Sequence, residues 1–440
     1  MFTIYNATFV TMDDSQPHIV DGAMVVDQGT IIEIGRSDEI QKQGELIDMQ
    51  GKLVMPGLIN THTHTHSSIF RNLGDDRKLM DWLENAMWPM EKVLTEEIAY
   101  DATSLSCLEF IRGGITTYAD QFYFANEIAY AAQDSGLRCF LAATVFENGC
   151  AETSNTLERA VNFIEKWSGR EKDTLVYPCI GPHAPYSVSE EQFHDIVEIA
   201  KEYKLLIHIH ISETADENRS IQEKYQVNPT QWLDSLGVLE QRVLAAHSIH
   251  LSEQDLEIYQ RNQVAVSYNP VSNLKLVSGD MPIEKMLERD ILVSIGTDGA
   301  QSNNSMDLLQ DIKIGTLIQK QKMNSATFLK AKECVKMMTI NGAKALGMEN
   351  EIGSLEVGKK ADFIAFDIKS VRMVPLHRDN LENLYATIVY SATGADVADT
   401  VVNGRWLMKN KEVLSMNEVD ILARGQKASE YLVQESKKYL

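Results

Sequence analysis

The chain has 440 residues, of which 44% are hydrophobic and 24% charged, and its formal net charge is −22 at pH 7. This length and composition are those of an ordinary globular protein with room for a large core. The acidic balance argues against nucleic acid, polyphosphate or an anionic membrane as a partner, because no basic field attracts them, and it leaves small neutral substrates open.

The N-terminus and the cysteines indicate the compartment. Residues 1–5 lack the basic and apolar regions of a secretory signal, and no apolar run is long enough to span a membrane. The five cysteines are odd in number and have no CxxC spacing, so neither a disulfide framework nor a thiolate metal site is expected. A cytoplasmic protein is predicted.

The first β-rich segments are residues 2–12 and 23–34, punctuated by Gly22 and the Gln28-Gly29 turn. Because no helix-length segment separates them, they predict a small sheet and not the start of a barrel.

A histidine-rich stretch follows in residues 53–66, Leu-Val-Met-Pro-Gly-Leu-Ile-Asn-Thr-His-Thr-His-Thr-His. Its apolar part predicts a buried strand, interrupted by Pro56-Gly57, that ends in His62, His64 and His66. Side chains two apart on a strand share a face, so these imidazoles can converge on a divalent metal. The alternative is a polar strand tip in which the histidines are only solvated.

From residue 53 onward, short apolar strands alternate with helix-length amphipathic segments. Eight strands are predicted, at 53–60, 115–119, 139–146, 175–180, 205–211, 243–246, 264–268 and 291–295. Candidate helices lie at 95–112, 126–136, 189–203, 253–261 and 282–289, two of them with a Ser cap at Ser189 and Ser252. Eight such units over roughly 300 residues predict an α/β fold, a (β/α)8 TIM-type barrel. A doubly wound open sheet is the alternative.

The ends of the chain predict a second domain. After a last helix at 328–346, β character returns at 353–367 and 400–408. We expect a composite β-sandwich domain from residues 1–55 and 352–416, a barrel domain from 56–351, and a charged C-terminal helix at 417–440. That helix is expected on the surface or at a subunit contact, and a homo-oligomer is therefore one of the possible assemblies.

Polar residues fall at or just beyond the ends of seven predicted strands. They are His62 with His64, Asp120, His183, His210, His247, Asn269 and Asp298. A TIM-type barrel builds its active site at the C-terminal mouth of its strands, so these side chains are expected to meet there.

Four of these residues form a candidate metal site. His62, His64, His210 and Asp298 offer three imidazoles and a carboxylate, which suits Zn²⁺ or Fe²⁺ with a water completing the shell. Strand 4 ends in Gly181-Pro182-His183, without a lysine that could bridge a second metal, so one metal ion per chain is expected.

Two further histidines leave alternatives open. His66 could replace His62 because it shares the same strand parity. His208 shares the parity of His210, but it lies deeper in the strand, where a packed or supporting histidine is expected.

Proton transfer is assigned to residues beside this site. Glu213, three residues after His210, is placed to move a proton, and the alternative is a helix-capping carboxylate. His247 could polarise the water, and His250 is its competitor, although it is expected in the loop. Asp298 lies among small residues that permit close approach of a ligand.

These segments resemble the amidohydrolase superfamily, and within it the 5′-methylthioadenosine/S-adenosylhomocysteine deaminase family. The stretches that carry the resemblance are 56–64 (PGLINTHTH), 82–91 (WLE…WPME), 181–186 (GPHAPY), 209–214 (IHISET), 245–251 (AAHSIHL), 269–276 (NPVSNLKL) and 296–305 (GTDG…SNNS). The resemblance runs nearly end to end.

The resemblance implies roles for individual residues. It implies that His62, His64, His210 and Asp298 bind the metal and that Glu213, His247 and Asp298 handle protons. It places the substrate, a purine nucleoside, against a further set: Trp82, Glu91 (for the ribose hydroxyls), His183, Glu213 and Ser302.

One departure bears on the substrate. Members that take S-adenosylhomocysteine are expected to carry arginines after strand 3. Here residues 142–155 contain no basic residue, and the first one after them is Arg159. Hydrolytic deamination of methylthioadenosine, adenosine or a related neutral nucleoside is therefore predicted, with an inosine-type product and ammonia. An s-triazine or other N-heterocycle hydrolase is the alternative, and a catalytically inactive barrel that acts as a binding protein is a remote one.

Overall fold

A computed structural model describes residues 1–77, 79–122, 124–147, 156–168 and 174–439. Within these residues the chain forms two nine-stranded sheets. The strands, in chain order, are β1 Phe2–Val10, β2 His18–Asp27, β3 Thr30–Arg36, β4 Glu45–Asp48, β5 Leu53–Pro56, β6 Leu58–His64, β7 Ile115–Phe122, β8 Arg138–Val145, β9 Val176–Pro182, β10 Ile207–Ile211, β11 Val243–His247, β12 Ala265–Tyr268, β13 Val293–Ile295, β14 Asp298–Gly299, β15 Phe363–Phe366, β16 Val397–Val402, β17 Arg405–Lys409 and β18 Glu412–Val413.

The barrel consists of β6 to β14, each paired in parallel with its neighbours. Its eighth strand is in two pieces, of which β13 pairs with β12 and β14 pairs with β6, so the ring is closed. Apolar side chains from successive strands, and from Leu206 just before β10, form one buried cluster with the helix Ile340–Ala345; among them are Ile59, Phe140, Cys179 and Leu244.

Helices surround the barrel and bury one face against its strands. The α-helices are Leu79–Trp82, Trp88–Glu91, Glu96–Gly113, Ala125–Ser135, Thr156–Ser168, Glu190–Tyr203, Ala215–Tyr225, Pro229–Ser235, Glu253–Asn262, Pro270–Lys275, Ile283–Leu287, Ala300–Asn303, Leu308–Lys322, Ala331–Met337, Ile340–Ala345, Leu381–Ala386 and Glu418–Glu435. Shorter 3-10 helices cover Thr65–Phe70, Gly394–Asp396 and Ser436–Lys438, and π-helical turns cover Leu83–Met87 and Thr387–Ser391. The predicted caps at Ser189 and Ser252 both accept the expected backbone N–H, from Gln192 and Asp255.

The second sheet combines both termini, β1 to β5 with β15 to β18, around an apolar core of its own that includes Ile4, Phe9 and Phe363. A buried ion pair links this sheet to the barrel, with Arg138 Nη2 2.9 Å from Asp362 Oδ2. The predicted α/β barrel with a second β-domain from both termini is confirmed. The division of the chain at residues 55/56, 351/352 and 416/417 stays a prediction.

The predicted strand 53–60 is wrong in one respect, because the chain changes sheet within it. β5 pairs with β1 and β15 of the second sheet, whereas β6 opens the barrel. Gly57 separates the two, and a Cβ at this position would overlap the Thr116 side chain. A residue without a side chain lets the chain cross so closely over the neighbouring strand.

Two predictions for the C-terminal third also need correction. The helix expected at 328–346 is two short helices, Ala331–Met337 and Ile340–Ala345, because Thr339 leaves helical geometry at φ −133° and ψ −99°. Only the end of the β segment expected at 353–367 forms a strand, β15. The C-terminal helix packs on the barrel, where Ser429 Oγ donates to the Ile69 carbonyl at 2.8 Å. Among the described residues, no helix is both long and apolar enough to cross a membrane.

A candidate metal centre at the barrel mouth

Three strand ends bring four donor side chains together. β6 carries His62 and His64, β10 carries His210, and β14 carries Asp298. Asp298 Oδ1 lies 3.5 Å from Nε2 of both His62 and His64, and His210 Nε2 lies 3.3 Å from His64 Nε2. One donor atom from each of the three histidines lies within 4.8 Å of the others, which is a spacing suited to one ion.

Two of the three imidazoles are fixed by a backbone carbonyl through the other ring nitrogen. His64 Nδ1 donates to the Gln121 carbonyl at 2.9 Å and His210 Nδ1 donates to the His183 carbonyl at 2.7 Å. A ring that is protonated on Nδ1 keeps a free lone pair on Nε2. The Nε2 atoms are therefore the atoms that face the centre.

The donor set fits a divalent transition metal. His62 Nε2 is buried and has no hydrogen-bond partner among the residues that the structure describes. A buried polar atom without a partner is costly, and a metal ion at the centre would remove that cost. Three neutral imidazoles and one carboxylate are an established ligand set for zinc and for ferrous iron.

The protonation states agree with such a site. Burial lowers the pKa of His62 to about 4 and holds the pKa of His210 well below its usual range. Burial alone would raise the pKa of Asp298, but the surrounding imidazoles, His62 first among them, hold it well below its usual range. At neutral pH the centre thus offers His62 and His210 as neutral imidazoles and Asp298 as an anionic carboxylate, which are the forms that bind metal.

Asp298 is held in an unusual backbone conformation, at φ 60°. Its Oδ2 accepts hydrogen bonds from Ser272 Oγ at 2.5 Å and Ser302 Oγ at 3.0 Å. These two bonds turn Oδ1 toward the imidazoles. Left-handed backbone at a non-glycine residue costs energy and clusters at functional sites.

His247 and Glu213 lie beside this centre. His247, also left-handed at φ 69°, accepts a hydrogen bond at Nδ1 from Asn273 Nδ2 at 2.7 Å. The proton of this ring is therefore on Nε2, which lies 3.7 Å from Glu213 Oε2. The two side chains can share a proton across the mouth.

The backbone of Glu213 is anchored by a second carboxylate. Glu217 accepts the backbone N–H of Ser212 at 2.8 Å and that of Glu213 at 2.9 Å. Thr214, not Glu213, caps the following helix, since its hydroxyl accepts the Glu217 N–H at 3.1 Å. The helix-capping alternative for Glu213 is therefore wrong.

An aromatic wall adjoins the centre. The His183 ring stacks on Phe146 with centroids 4.6 Å apart and meets Tyr186 edge-on at 5.9 Å. Ser187 Oγ lies 2.9 Å from His183 Nδ1. Burial, with the nearby imidazoles, lowers the pKa of His183 to about 3, so the ring is neutral and can act only as a neutral hydrogen-bonding group.

The remaining predicted substrate residues lie in two places. Trp82 is buried in the helical segment that follows the first barrel strand, and Glu91 ends the same segment, where burial raises its pKa to about 7. Ser302 is buried against Asp298. Their contacts with a nucleoside stay predictions.

Arg159 lines a cavity of about 210 Å³ beside the end of β8. Glu96 and Glu127 line the same cavity, so the arginine faces two carboxylates. The predicted arginine-free segment 142–155 is described only up to residue 147, and the rest lies outside the described residues.

The structure separates the three ambiguous histidines. The strand ends at His64 and residues 65–70 form a 3-10 helix, so His66 loses strand parity and stacks on Phe122 with centroids 3.3 Å apart. His208 Nε2 is 2.9 Å from His62 Nδ1, and His250 Nε2 donates to the Ser278 carbonyl at 2.7 Å. Parity alone could not distinguish these positions.

Several supporting residues escaped prediction from the sequence. They are Gln121, Glu217, Ser272, Asn273 and Ser278. Ser272 and Asn273 stand in the NPVSN stretch, which carried the resemblance, so that stretch was the available signal. The other three act through backbone atoms or across loops, which no local pattern reveals.

The comparisons with known proteins identify the family of the chain. The profile of the amidohydrolase family matches residues 53–407. The chain belongs to the amidohydrolase family. The predicted superfamily is therefore confirmed.

Curated relatives match over nearly the full length. A 5′-deoxyadenosine deaminase from Methanobrevibacter smithii is 39% identical over 419 residues, covering 95% of each chain. A 5-methylthioadenosine/S-adenosylhomocysteine deaminase from Halothermothrix orenii is 37% identical over 415 residues, covering 93% of this chain and 94% of the relative. The relatives of this amidohydrolase are thus named for two related kinds of substrate, 5′-deoxyadenosine and 5-methylthioadenosine/S-adenosylhomocysteine.

A solved structure has the same fold throughout. An adenosine deaminase from Xanthomonas campestris with bound zinc superposes with a TM-score of 0.93, at 28% identity, and 98% of each chain is covered.

Proposed function

We propose that this amidohydrolase is a metal-dependent hydrolytic deaminase of a purine nucleoside. The substrate is of the adenosine, 5′-deoxyadenosine or 5′-methylthioadenosine type, and the products are ammonia and an inosine-type nucleoside. The observation that carries the proposal is the pair Glu213 and His247, with Oε2 and Nε2 3.7 Å apart, beside three imidazoles and a carboxylate. The names of the relatives at 37–39% identity support the same substrate class.

The proposed cofactor is one divalent metal per chain, most simply zinc, held by His62, His64, His210 and Asp298. Zinc is favoured because the solved adenosine deaminase with the same fold contains it. When bound, the metal supplies Lewis acidity, which lowers the pKa of water and makes a nucleophile available near neutral pH.

The side chains divide the proton transfers. Glu213 protonates the ring nitrogen beside C6, so that the purine does not take a full negative charge when C6 becomes tetrahedral. Asp298 accepts a proton from the attacking water and passes it to the departing amine. The C6–O bond forms first; the C6–N bond then breaks as the proton left on this oxygen returns to Glu213, and ammonia leaves. Each transfer of this kind typically contributes about 10²–10⁴-fold.

His247 orients the attacking oxygen. Asn273 fixes its tautomer, so Nε2 presents a hydrogen-bond donor toward the mouth. A donor fixed before reaction stabilises developing charge without reorganisation. His183 is proposed to hold the purine ring, because it is neutral and flanked by Phe146 and Tyr186.

A neutral 5′ substituent is favoured over the amino-acid group of S-adenosylhomocysteine. At the end of β8, where arginines are expected for that substrate, residue 146 is phenylalanine and packs on His183. Arg159 shares its cavity with Glu96 and Glu127, whose negative charges weaken its attraction for the carboxylate of a bound amino-acid group. A triazine hydrolase keeps the same centre, but it has no need of Glu91 as a ribose acceptor.

The test is ammonia release by the zinc-loaded protein from a panel. The panel contains adenosine, 5′-deoxyadenosine, 5′-methylthioadenosine, S-adenosylhomocysteine, adenine and an amino-s-triazine. We expect turnover of the neutral nucleosides, with S-adenosylhomocysteine slower. Turnover of the triazine alone would favour the alternative, and no turnover of any nucleoside by a protein that holds zinc would refute the proposal.

A further inference from the structure

His208 lies directly beneath the candidate metal centre. Its Nε2 is 2.9 Å from Nδ1 of His62, and both rings are buried, at 1% and 0% exposure. The two rings meet edge-on, with centroids 5.0 Å apart. This is a direct ring-to-ring hydrogen bond in the interior of the barrel, where water does not compete for it.

Only one proton arrangement in this bond suits a metal on His62. A ring that offers a lone pair at Nε2 carries its proton on Nδ1, so His62 must donate and His208 must accept through Nε2. His208 then carries its own proton on Nδ1.

The opposite arrangement would disable the site. If His208 donated from Nε2, the proton of His62 would be on Nε2, between the ring and Asp298 Oδ1 at 3.5 Å. His62 is the histidine of this set that depends on another side chain for its orientation, since His64 and His210 donate to backbone carbonyls. A backbone carbonyl can only accept, whereas an imidazole can donate or accept.

We propose that His208 is a positioning residue that accepts the Nδ1–H of His62, fixes the tautomer of that ring and so holds the His62 lone pair ready for the metal. The proposal rests on the metal site of the proposed function. Outer partners of metal-bound histidines typically account for about 10–100-fold in metal affinity.

The experiment compares two substitutions of His208 of different chemistry. His208→Gln keeps an acceptor near the position of Nε2, whereas His208→Leu fills a similar volume without one. Zinc affinity is measured by competition with a chelator in the purified full chain. We expect His208→Leu to weaken zinc binding about 10–100-fold and His208→Gln to stay within about threefold of the parent.

His66→Leu is the matched control. His66 is a buried histidine two residues from His64; its ring stacks on Phe122 with centroids 3.3 Å apart and meets the His64 ring only edge-on, with centroids 6.1 Å apart. Its replacement is expected to leave zinc affinity unchanged. Thermal unfolding of the metal-free variants separates loss of the ligand geometry from loss of the fold.

A spectroscopic measurement tests the tautomer itself. In ¹⁵N-histidine-labelled protein loaded with zinc, His62 and His208 are both expected to carry their protons on Nδ1. Protonation of His208 on Nε2, or equal zinc affinity in parent and His208→Leu, would overturn the proposal. Normal zinc binding without deamination would instead count against the proposed function alone.

Discussion

Ser278 directs its hydroxyl toward Glu213, with Ser278 Oγ 3.4 Å from Glu213 Oε1. The serine is itself held, because His250 Nε2 donates to its carbonyl at 2.7 Å and Asn218 Nδ2 donates to the His250 carbonyl at 2.6 Å. Gly279 lets this turn approach closely, since at φ +130° a Cβ would lie 2.7 Å from Ile249 Cγ2. The proposed proton donor is thus oriented from a neighbouring loop, and such contacts commonly shorten when substrate binds.

Ser278→Ala is therefore expected to lower kcat about tenfold and to leave KM within about twofold, because Glu213 keeps its backbone anchor but loses its side-chain orientation. Steady-state kinetics on the preferred nucleoside measure both values. Ser235→Ala, which removes a hydroxyl bonded to the Trp232 carbonyl in a helix remote from the mouth, is the control.

A double-mutant cycle distinguishes positioning from a general structural effect. Glu213→Gln alone is expected to lower kcat about 10²–10⁴-fold. Adding Ser278→Ala to Glu213→Gln should then cost little more. Multiplicative losses in the double variant would show that Ser278 does not act through Glu213.

Val277, next to Ser278, is strained. It is a β-branched residue at φ 56° and is 85% exposed. Asparagine tolerates this backbone region, so Val277→Asn is expected to stabilise the protein by about 1 kcal/mol, measured by thermal unfolding. Val371 is 87% exposed but lies outside the left-handed region, so Val371→Asn should have no such effect. Equal shifts in both variants would contradict the strain argument.

The ionisation of Glu91 predicts a pH dependence of substrate binding. Burial raises its pKa to about 7, so the side chain is protonated below that pH and a carboxylate above it. The carboxylate is the better acceptor for ribose hydroxyls, so KM for a nucleoside should fall as the pH rises from 6 to 8. Glu91→Gln should flatten this part of the profile. A KM profile that is the same in parent and variant would remove Glu91 from the ribose site.

The same raised pKa has the opposite effect on stability. The folded state keeps the proton on Glu91 at a pH where the unfolded chain has lost it. The contribution of Glu91 to the free energy of unfolding is therefore fully present below the ordinary glutamate pKa of 4.5 and is lost as the pH rises through about 7.

The variants His210→Ala and His66→Ala should distinguish a metal-binding histidine from a histidine that only lies beside the metal site. His210→Ala is expected to abolish both activity and metal retention, because it removes one of the four donors. His66→Ala should largely spare both. Truncation of a buried aromatic ring stacked on Phe122 should nevertheless cost stability, about 2–4 kcal/mol. Metal analysis, activity and thermal unfolding of the two variants give the comparison, and loss of metal in His66→Ala would contradict the ligand assignment.

The sequence could predict which side chains meet in the candidate site because of one geometric property of the fold. In a closed ring of parallel strands, every strand ends at the same mouth, so residues far apart in the chain are predicted to meet if each follows a strand. Asp298 and His62 are 236 positions apart by their numbers, yet His62 Nε2 and Asp298 Oδ1 lie 3.5 Å apart. Alternating apolar strands and amphipathic helices were sufficient for that prediction.

The tertiary structure decided what strand parity could not. Strand parity leaves His62, His64 and His66 equivalent, but the strand ends at His64 and the 3-10 helix that follows takes His66 out of this alternation. Likewise, the chain changes from one sheet to the other at Gly57, between β5 and β6. The need for glycine there is visible only in the folded structure, where the Thr116 side chain leaves no room for a Cβ. The tautomer of His62 and the orientation of Glu213 depend on His208 and Ser278, contacts between distant segments that exist only after folding. Local periodicity thus determined which residues reach the mouth, and packing between segments determined which of them point into it.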